Sequence, residues 1–156
     1  PYTSHSMPRV VFMISLTVNS FARYLLIEDN ERVERLIVEN VDDMLAHCLG
    51  PDGVTYYKEL PSLRRALPTP HVIESLAYAY RITGNDHYLR MASRMFAAWV
   101  DQPLRLRTRG KYADGSGAVN SGAGRACIFE ETYSSILLFA GEAAARGFLD
   151  WFEYPY

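Results

Sequence analysis

The chain repeats itself at long range. Set "FARYLLIEDNERVERLIVENVDDML", from Phe21, above "LAYAYRITGNDHYLRMASRMFAAWV", from Leu76. Ala22, Ile27, Asn30 and Arg35 then fall on Ala77, Ile82, Asn85 and Arg90 at a shift of 55 residues. Apolar character is kept at Val33 with Tyr88, Leu36 with Met91, Val41 with Phe96 and Met44 with Trp99. A period of this size holds two helices and their connections, and such units bury their apolar faces only by stacking. The repeat thus points to an array of helical hairpins.

Spacing and end signals place the helices. Val18, Phe21, Ala22 and Leu25 form one stripe, the turn "EDN" follows, and Val33, Leu36, Ile37, Val41, Met44, Leu45 and Cys48 continue on a second helix that Gly50 and Pro51 stop. In the second unit Thr69 is a candidate N-cap and Pro70 takes the first helical position, where its missing N–H costs nothing. Ile73, Leu76, Ala77 and Tyr80 make the next stripe. Gly84 closes that helix, Asn85 can cap the following one, and Pro103 is expected to end it. A last helix carries Phe129, Tyr133, Ile136, Leu137, Ala140 and Ala144. The expected organisation is one all-α domain over 1–156, with hairpins at about 10–49 and 69–102, a last helix at about 127–148 and a flexible Gly-rich loop over 104–126. Both long connections lead into the first helix of a unit, which puts them on one face of the array.

Composition narrows the function classes. With 49% hydrophobic residues the 156-residue chain can bury a core, and a net charge of −2 supplies no field of the kind that draws nucleic acid or an anionic membrane. The apolar run "VVFMISLTV" is far shorter than the roughly 20 residues a membrane span needs, and it merges into the helical stripe instead of forming a signal segment. Cys48 and Cys127 are far apart with no Cys/His spacing for zinc, so ordinary thiols and no metal or cofactor are expected. The stretch "GKYADGSGAVNSGAGRACIFEE" has neither the GxxxxGK[ST] nor the GxGxxG spacing, and no strand precedes it. A nucleotide site is therefore disfavoured.

The string "ESLAYAYRITGNDHYLRMASRMFAAWV" resembles the hairpin unit of the (α/α) toroid carbohydrate-active enzymes, a group that takes in six-hairpin glycosidases, heparinase- and alginate-type polysaccharide lyases and sugar epimerases. The resemblance covers Leu16 to Leu49 and Thr69 to Asp101, and it marks architecture without carrying a catalytic residue. It implies a partial toroid-like array of roughly two and a half hairpins. It also implies a substrate cleft at the mouth, lined by long loops and by the N-terminal ends of inner helices. On this chain that end would carry the candidate catalytic residues His71, Glu74, Glu130, Glu131 and Tyr133 and the candidate substrate-binding residues Tyr56, Tyr57, Arg105, Arg107 and Arg109. Aromatic faces stack on sugars, arginines grip uronate carboxylates, and carboxylates or a Tyr/His pair move protons.

Each candidate has a plainer alternative. His71 and Glu74, one turn apart, can share a helix face and orient a general base or hold a metal, or serve only as cap and surface groups. Adjacent Glu130 and Glu131 point about 100° apart, so at most one can face a scissile bond, and both suit a helix N-terminus electrostatically. "DGVTYY" alternates well enough for a short strand with one tyrosine turned inward. "RLRTR" would align three positive charges on an extended segment or lie in a solvated loop.

A closed toroid of six such hairpins needs about 330 residues, so this array leaves apolar flanks open. Self-association, aided by the aromatic tail "GFLDWFEYPY", or membership of a longer polypeptide are the two expected resolutions. The function expected is that of a carbohydrate-active enzyme, or part of one, acting on an oligosaccharide or polyuronide by hydrolysis, elimination or epimerisation. The alternative is a non-catalytic helical-repeat module that binds protein or saccharide and self-associates.

Overall fold

The computed structural model describes residues 9–51, 53–56, 59, 70–109 and 136–147, with backbone alone over 98–109. Four helices follow one another, α1 (Val11–Tyr24), α2 (Glu31–Cys48), α3 (Pro70–Thr83) and α4 (Asp86–Arg109), and a further helical stretch, α5, covers 136–145. Among the described residues there is no strand, and the fold is the expected all-α array of hairpins.

The residues that repeat do recurring structural work. Asn30 and Asn85, equivalent at the 55-residue shift, both cap the second helix of their hairpin. The Asn30 side chain accepts hydrogen bonds from the N–H groups of Arg32 and Val33 at 3.1 and 3.3 Å, and Asn85 accepts from His87 at 3.0 Å. Gly84, at φ +67°, supplies the left-handed residue that ends α3, and its N–H donates to the Tyr80 carbonyl at 2.7 Å.

Packing places α3 at the centre. It lies against α1, α2 and α4, and it buries Val72, Ile73, Glu74, Ser75, Leu76, Ala77, Ala79 and Tyr80, so it is covered on nearly every side. The neighbours instead show single buried stripes: Ile37, Val41, Met44 and Cys48 on α2, and Tyr88, Leu89, Met91, Ala92 and Met95 on α4. Phe139 of α5 is fully buried with its ring 5.4 Å from Phe96. On α1 the face turned to α3 carries small and polar groups, Ser15, Asn19 and Ala22. Its outer face and the turn after it expose Phe12, Met13, Leu16, Tyr24, Leu26 and Ile27.

Contacts fix the directions of these helices. Phe12 in the first turn of α1 meets His71 in the first turn of α3, so the two helices begin at the same end, and Ser15, Asn19 and Arg23 all reach the stretch from His71 to Ser75. Arg9, just before α1, joins Asp43 near the end of α2 through Nε at 2.6 Å and Nη2 at 2.9 Å, and reaches Glu59 through Nη1 at 2.8 Å. The Glu59 N–H returns a bond to the Arg9 carbonyl at 3.0 Å. The hydrogen-bonded Arg9 guanidinium holds the Asp43 carboxyl below its ordinary value. It also ties the start of α1, the end of α2 and the following connection together at the end where α3 begins.

Two local expectations change. Pro103 does not end α4, which continues to Arg109, so residues 104–109 are helix and not the start of a loop. A proline removes one main-chain donor, and the strong helix formers Leu104, Arg105, Leu106 and Arg107 around it carry the helix on. The alternation in "RLRTR" accordingly has helical period, and an extended row of charges does not form. The "DGVTYY" segment makes an antiparallel bridge between Leu49 and Thr55 in place of a strand. Gly53 at φ +79° turns the chain so that the Gly50 N–H reaches the Val54 carbonyl at 2.8 Å.

Leu76 is fully buried on the central helix, whereas Ile27 is 87% exposed in the hairpin turn. In urea unfolding, Leu76→Ala should cost about 2–5 kcal/mol and Ile27→Ala should stay within about 0.5 kcal/mol of wild type. Equal losses at the two positions would contradict the central placement of α3.

Candidate functional site

Glu74 lies in the second turn of α3, inside the bundle, with 3% of its surface exposed. It is the one carboxylate among the buried described residues. A buried carboxylate needs donors, and α1 supplies them. Asn19 Nδ2 donates to Glu74 Oε2 at 2.9 Å, and the Arg23 guanidinium stands 4.0 Å from Oε1. Arg23 is itself 64% exposed, whereas the Glu74 side chain is 3% exposed.

The amide of Asn19 is held in turn. Its Nδ2 also donates to the His71 carbonyl at 3.1 Å, and its Oδ1 accepts from the Ser75 hydroxyl at 2.7 Å. Both contacts of Nδ2 are with acceptors, so a flipped amide would set oxygen against oxygen. The Ser75 hydroxyl is flanked by the His71 carbonyl at 2.9 Å and the Ser15 carbonyl at 3.4 Å as further acceptors. One turn past Glu74, the half-buried Tyr78 phenol has its pKa raised, first by burial and then by the Glu74 charge, with Arg23 and Arg81 opposing.

The predicted site residues separate into four groups. His71 and Glu74 come together on α3, yet His71 contributes its backbone carbonyl to the network while its ring lies edge-on to Phe12, centroids 5.8 Å apart. Tyr56 is half-buried beyond the end of α2, with its N–H bonded to the Cys48 carbonyl at 2.7 Å, at the same end of the bundle as His71. Arg105, Arg107 and Arg109 sit on the last turns of α4 and not in a loop. Tyr57, Glu130, Glu131 and Tyr133 lie outside the described residues, as do Cys127 and the remainder of the Gly-rich stretch. Cys48 is buried and free, its thiol pushed up to about 11 chiefly by burial. Among the described residues no group of His, Cys, Asp or Glu could hold a metal ion, and no helix is long and apolar enough to cross a membrane.

Asn19, Arg23, Ser75 and Tyr78 were not among the residues picked from the sequence. A signal for the first two was present. Asn19 and Glu74 are 55 positions apart, which is the repeat shift itself, and Arg23 stands in the same relation to Tyr78. Extending the alignment two residues before Phe21 pairs the Asn19 amide with the Glu74 carboxylate it bonds.

Comparison with known proteins adds one finding. The model of the family described as glycosyl hydrolase family 47 matches residues 22–116, more than half of the chain. No curated protein and no solved structure gives a match. The matched stretch contains α2, α3, α4 and the last turn of α1, and so includes Glu74, Ser75, Tyr78 and Arg23.

The Glu74 charge is one cause of the raised Tyr78 pKa, and burial is the larger. Spectrophotometric titration of Glu74→Gln should therefore show the Tyr78 phenolate forming at lower pH than in wild type, though still above the ordinary tyrosine value of 10.0. An unchanged midpoint would mean that the two groups do not sense each other.

Proposed function

The chain belongs to glycosyl hydrolase family 47, a family of the α/α toroid glycosidases, and from that premise we propose that it hydrolyses a glycosidic bond of an oligosaccharide with Glu74 as one of the two working carboxylates. The observation that carries this reading is the position of Glu74, a buried carboxylate near the N-terminal end of a central inner helix, provided with its own donor. Glycosidases of the usual kind need two carboxyl groups flanking the bond, one to protonate the leaving oxygen and one to act as base or nucleophile. Glu130 or Glu131 is the candidate for the second, as they enter the third unit of the array. Hydrolysis is favoured over elimination or epimerisation because the family is one of hydrolases.

In this site Oε2 accepts from Asn19 and the Arg23 guanidinium stands 4.0 Å from Oε1, so the carboxylate is held between an amide and a cation of α1. His71 and Tyr56 at the same end of the bundle, and the arginines on the last turns of α4, are the residues from which a sugar-binding rim would be drawn. Sugar hydroxyls suit such a mixed rim of aromatic and cationic side chains.

The second reading, a helical-repeat module that self-associates, draws on the outer face of α1. Against α1, α3 uses the face with His71 and Ser75, whose repeat equivalents on α1 are the exposed Leu16 and Ser20. A second copy of this chain would cover them. Light scattering at micromolar concentration should then show a dimer, and a monomer would overturn this reading.

The hydrolase reading is tested by release of reducing ends from a panel of neutral and uronate-containing oligosaccharides. Glu74→Gln should lower turnover by about 10²–10⁴-fold while leaving the helical circular dichroism unchanged. A wild-type chain with no release from any member of the panel would overturn it, as would a fully active Glu74→Gln.

A further inference from the structure

Resting on the reading of Tyr56 as part of a sugar-binding rim, we propose that Arg9 is a positioning residue for that rim. Its guanidinium clasps the connection between the hairpins to α2 and so acts on saccharide binding through Tyr56. The side chain spends three N–H groups on two carboxylates from different parts of the chain. Nε and Nη2 donate to the two oxygens of Asp43 on α2 at 2.6 and 2.9 Å, and Nη1 donates to Glu59 of the connection at 2.8 Å. The main chain repeats the tie, because the Glu59 N–H donates to the Arg9 carbonyl at 3.0 Å. Glu59 is therefore gripped twice by one residue that lies 50 positions away in sequence.

The grip differs from an isolated surface ion pair, which contributes little. A planar fork fits both oxygens of one carboxylate, and a further N–H of the same fork reaches a second carboxylate that the first repels. The Cys48 thiol, raised first by burial, is acted on next by the charges of Glu59, Arg9 and Asp43, which gathers all three around the last turn of α2. Taking the cation away leaves two neighbouring anions, so the connection is pushed from α2 as well as released. Tyr56 stands between this clasp and the main-chain pins of the same connection. Its N–H donates to the Cys48 carbonyl at 2.7 Å and Leu49 bridges Thr55, whereas Arg9 acts beyond it through Glu59. Removing Arg9 leaves those main-chain bonds in place, so the effect is a looser rim on a folded chain.

The test uses the full chain with Arg9→Gln and Glu59→Gln, the second of which releases the connection while keeping the Arg9–Asp43 pair. On an oligosaccharide that the wild type cleaves, both should raise KM by on the order of 10-fold with kcat within about twofold of wild type, because a looser rim weakens substrate and transition state alike. Arg9→Lys, which offers a point charge in place of the fork, should restore KM only in part. Independently of turnover, amide hydrogen exchange at positions 56 and 59 should speed up by about 10-fold in both Gln variants, while exchange at Leu76 in the central helix stays within about twofold of wild type. Should Arg9→Gln fail to fold, Glu59→Gln carries every readout. A loss confined to kcat, unchanged exchange at positions 56 and 59, or an acceleration that Leu76 shares in full overturns the proposal. A wild type that binds a member of the panel without cleaving it removes the hydrolase reading alone, and Kd from calorimetry then takes the place of KM. A wild type that neither cleaves nor binds any member removes the rim and this proposal with it.

Discussion

The seam between α1 and α3 is the contact on which the rest of this structure depends. It is made of small and polar groups, Ser15 and Asn19 facing His71, Glu74 and Ser75, and small residues let two helices approach closely. Close approach is what brings the Asn19 amide within hydrogen-bond reach of a carboxylate on another helix. It also encloses α3, which receives α2 and α4 on its remaining sides. A carboxylate on the most buried helix of an array is costly unless paired, and the seam supplies the pairing.

The second determinant lies at the end of the bundle where α3 begins. Arg9 binds Asp43 and Glu59 together, gathering the start of α1, the end of α2 and the connection between the hairpins. The Leu49–Thr55 bridge and the Tyr56 N–H bond to Cys48 hold the same connection against the C-terminus of α2. The end carrying Tyr56 and His71 is thus anchored to the helices by backbone and charged contacts. Such anchoring is what a binding rim needs if its residues are to keep their places without a sheet behind them.

Much of the helical architecture was legible because it is periodic. The 55-residue repeat, the Asn30 and Asn85 caps and the Gly84 terminus are local signals with local physical causes, and the structure realises each of them. Pro103 misled because proline is read as a stop, although one missing hydrogen bond is tolerated where good helix formers surround it. Glu74 stood out as a residue type at a helix start, but the same reasoning treated a cap or surface role as the plainer account. Its burial comes from how many helices surround α3, which no periodicity within α3 can report.

What the sequence by itself determined is the run of helices from α1 to α4 and their hairpin pairing, since these follow from periodicity and caps, with a likeness of the hairpin motif to the toroid enzymes beside them. What only the tertiary structure decided is which polar residues meet. Asn19 and Ser75 look like ordinary helix-surface groups in the sequence, and they become the surroundings of a buried carboxylate because α1 and α3 pack together where these residues stand. Likewise the His71 ring, chosen as a proton carrier, turns to Phe12, and its backbone carbonyl orients the amide. Helix formation is governed by neighbours three and four residues apart, whereas the state of a carboxyl group is governed by whatever lies within hydrogen-bond reach, and here that came from 55 residues away.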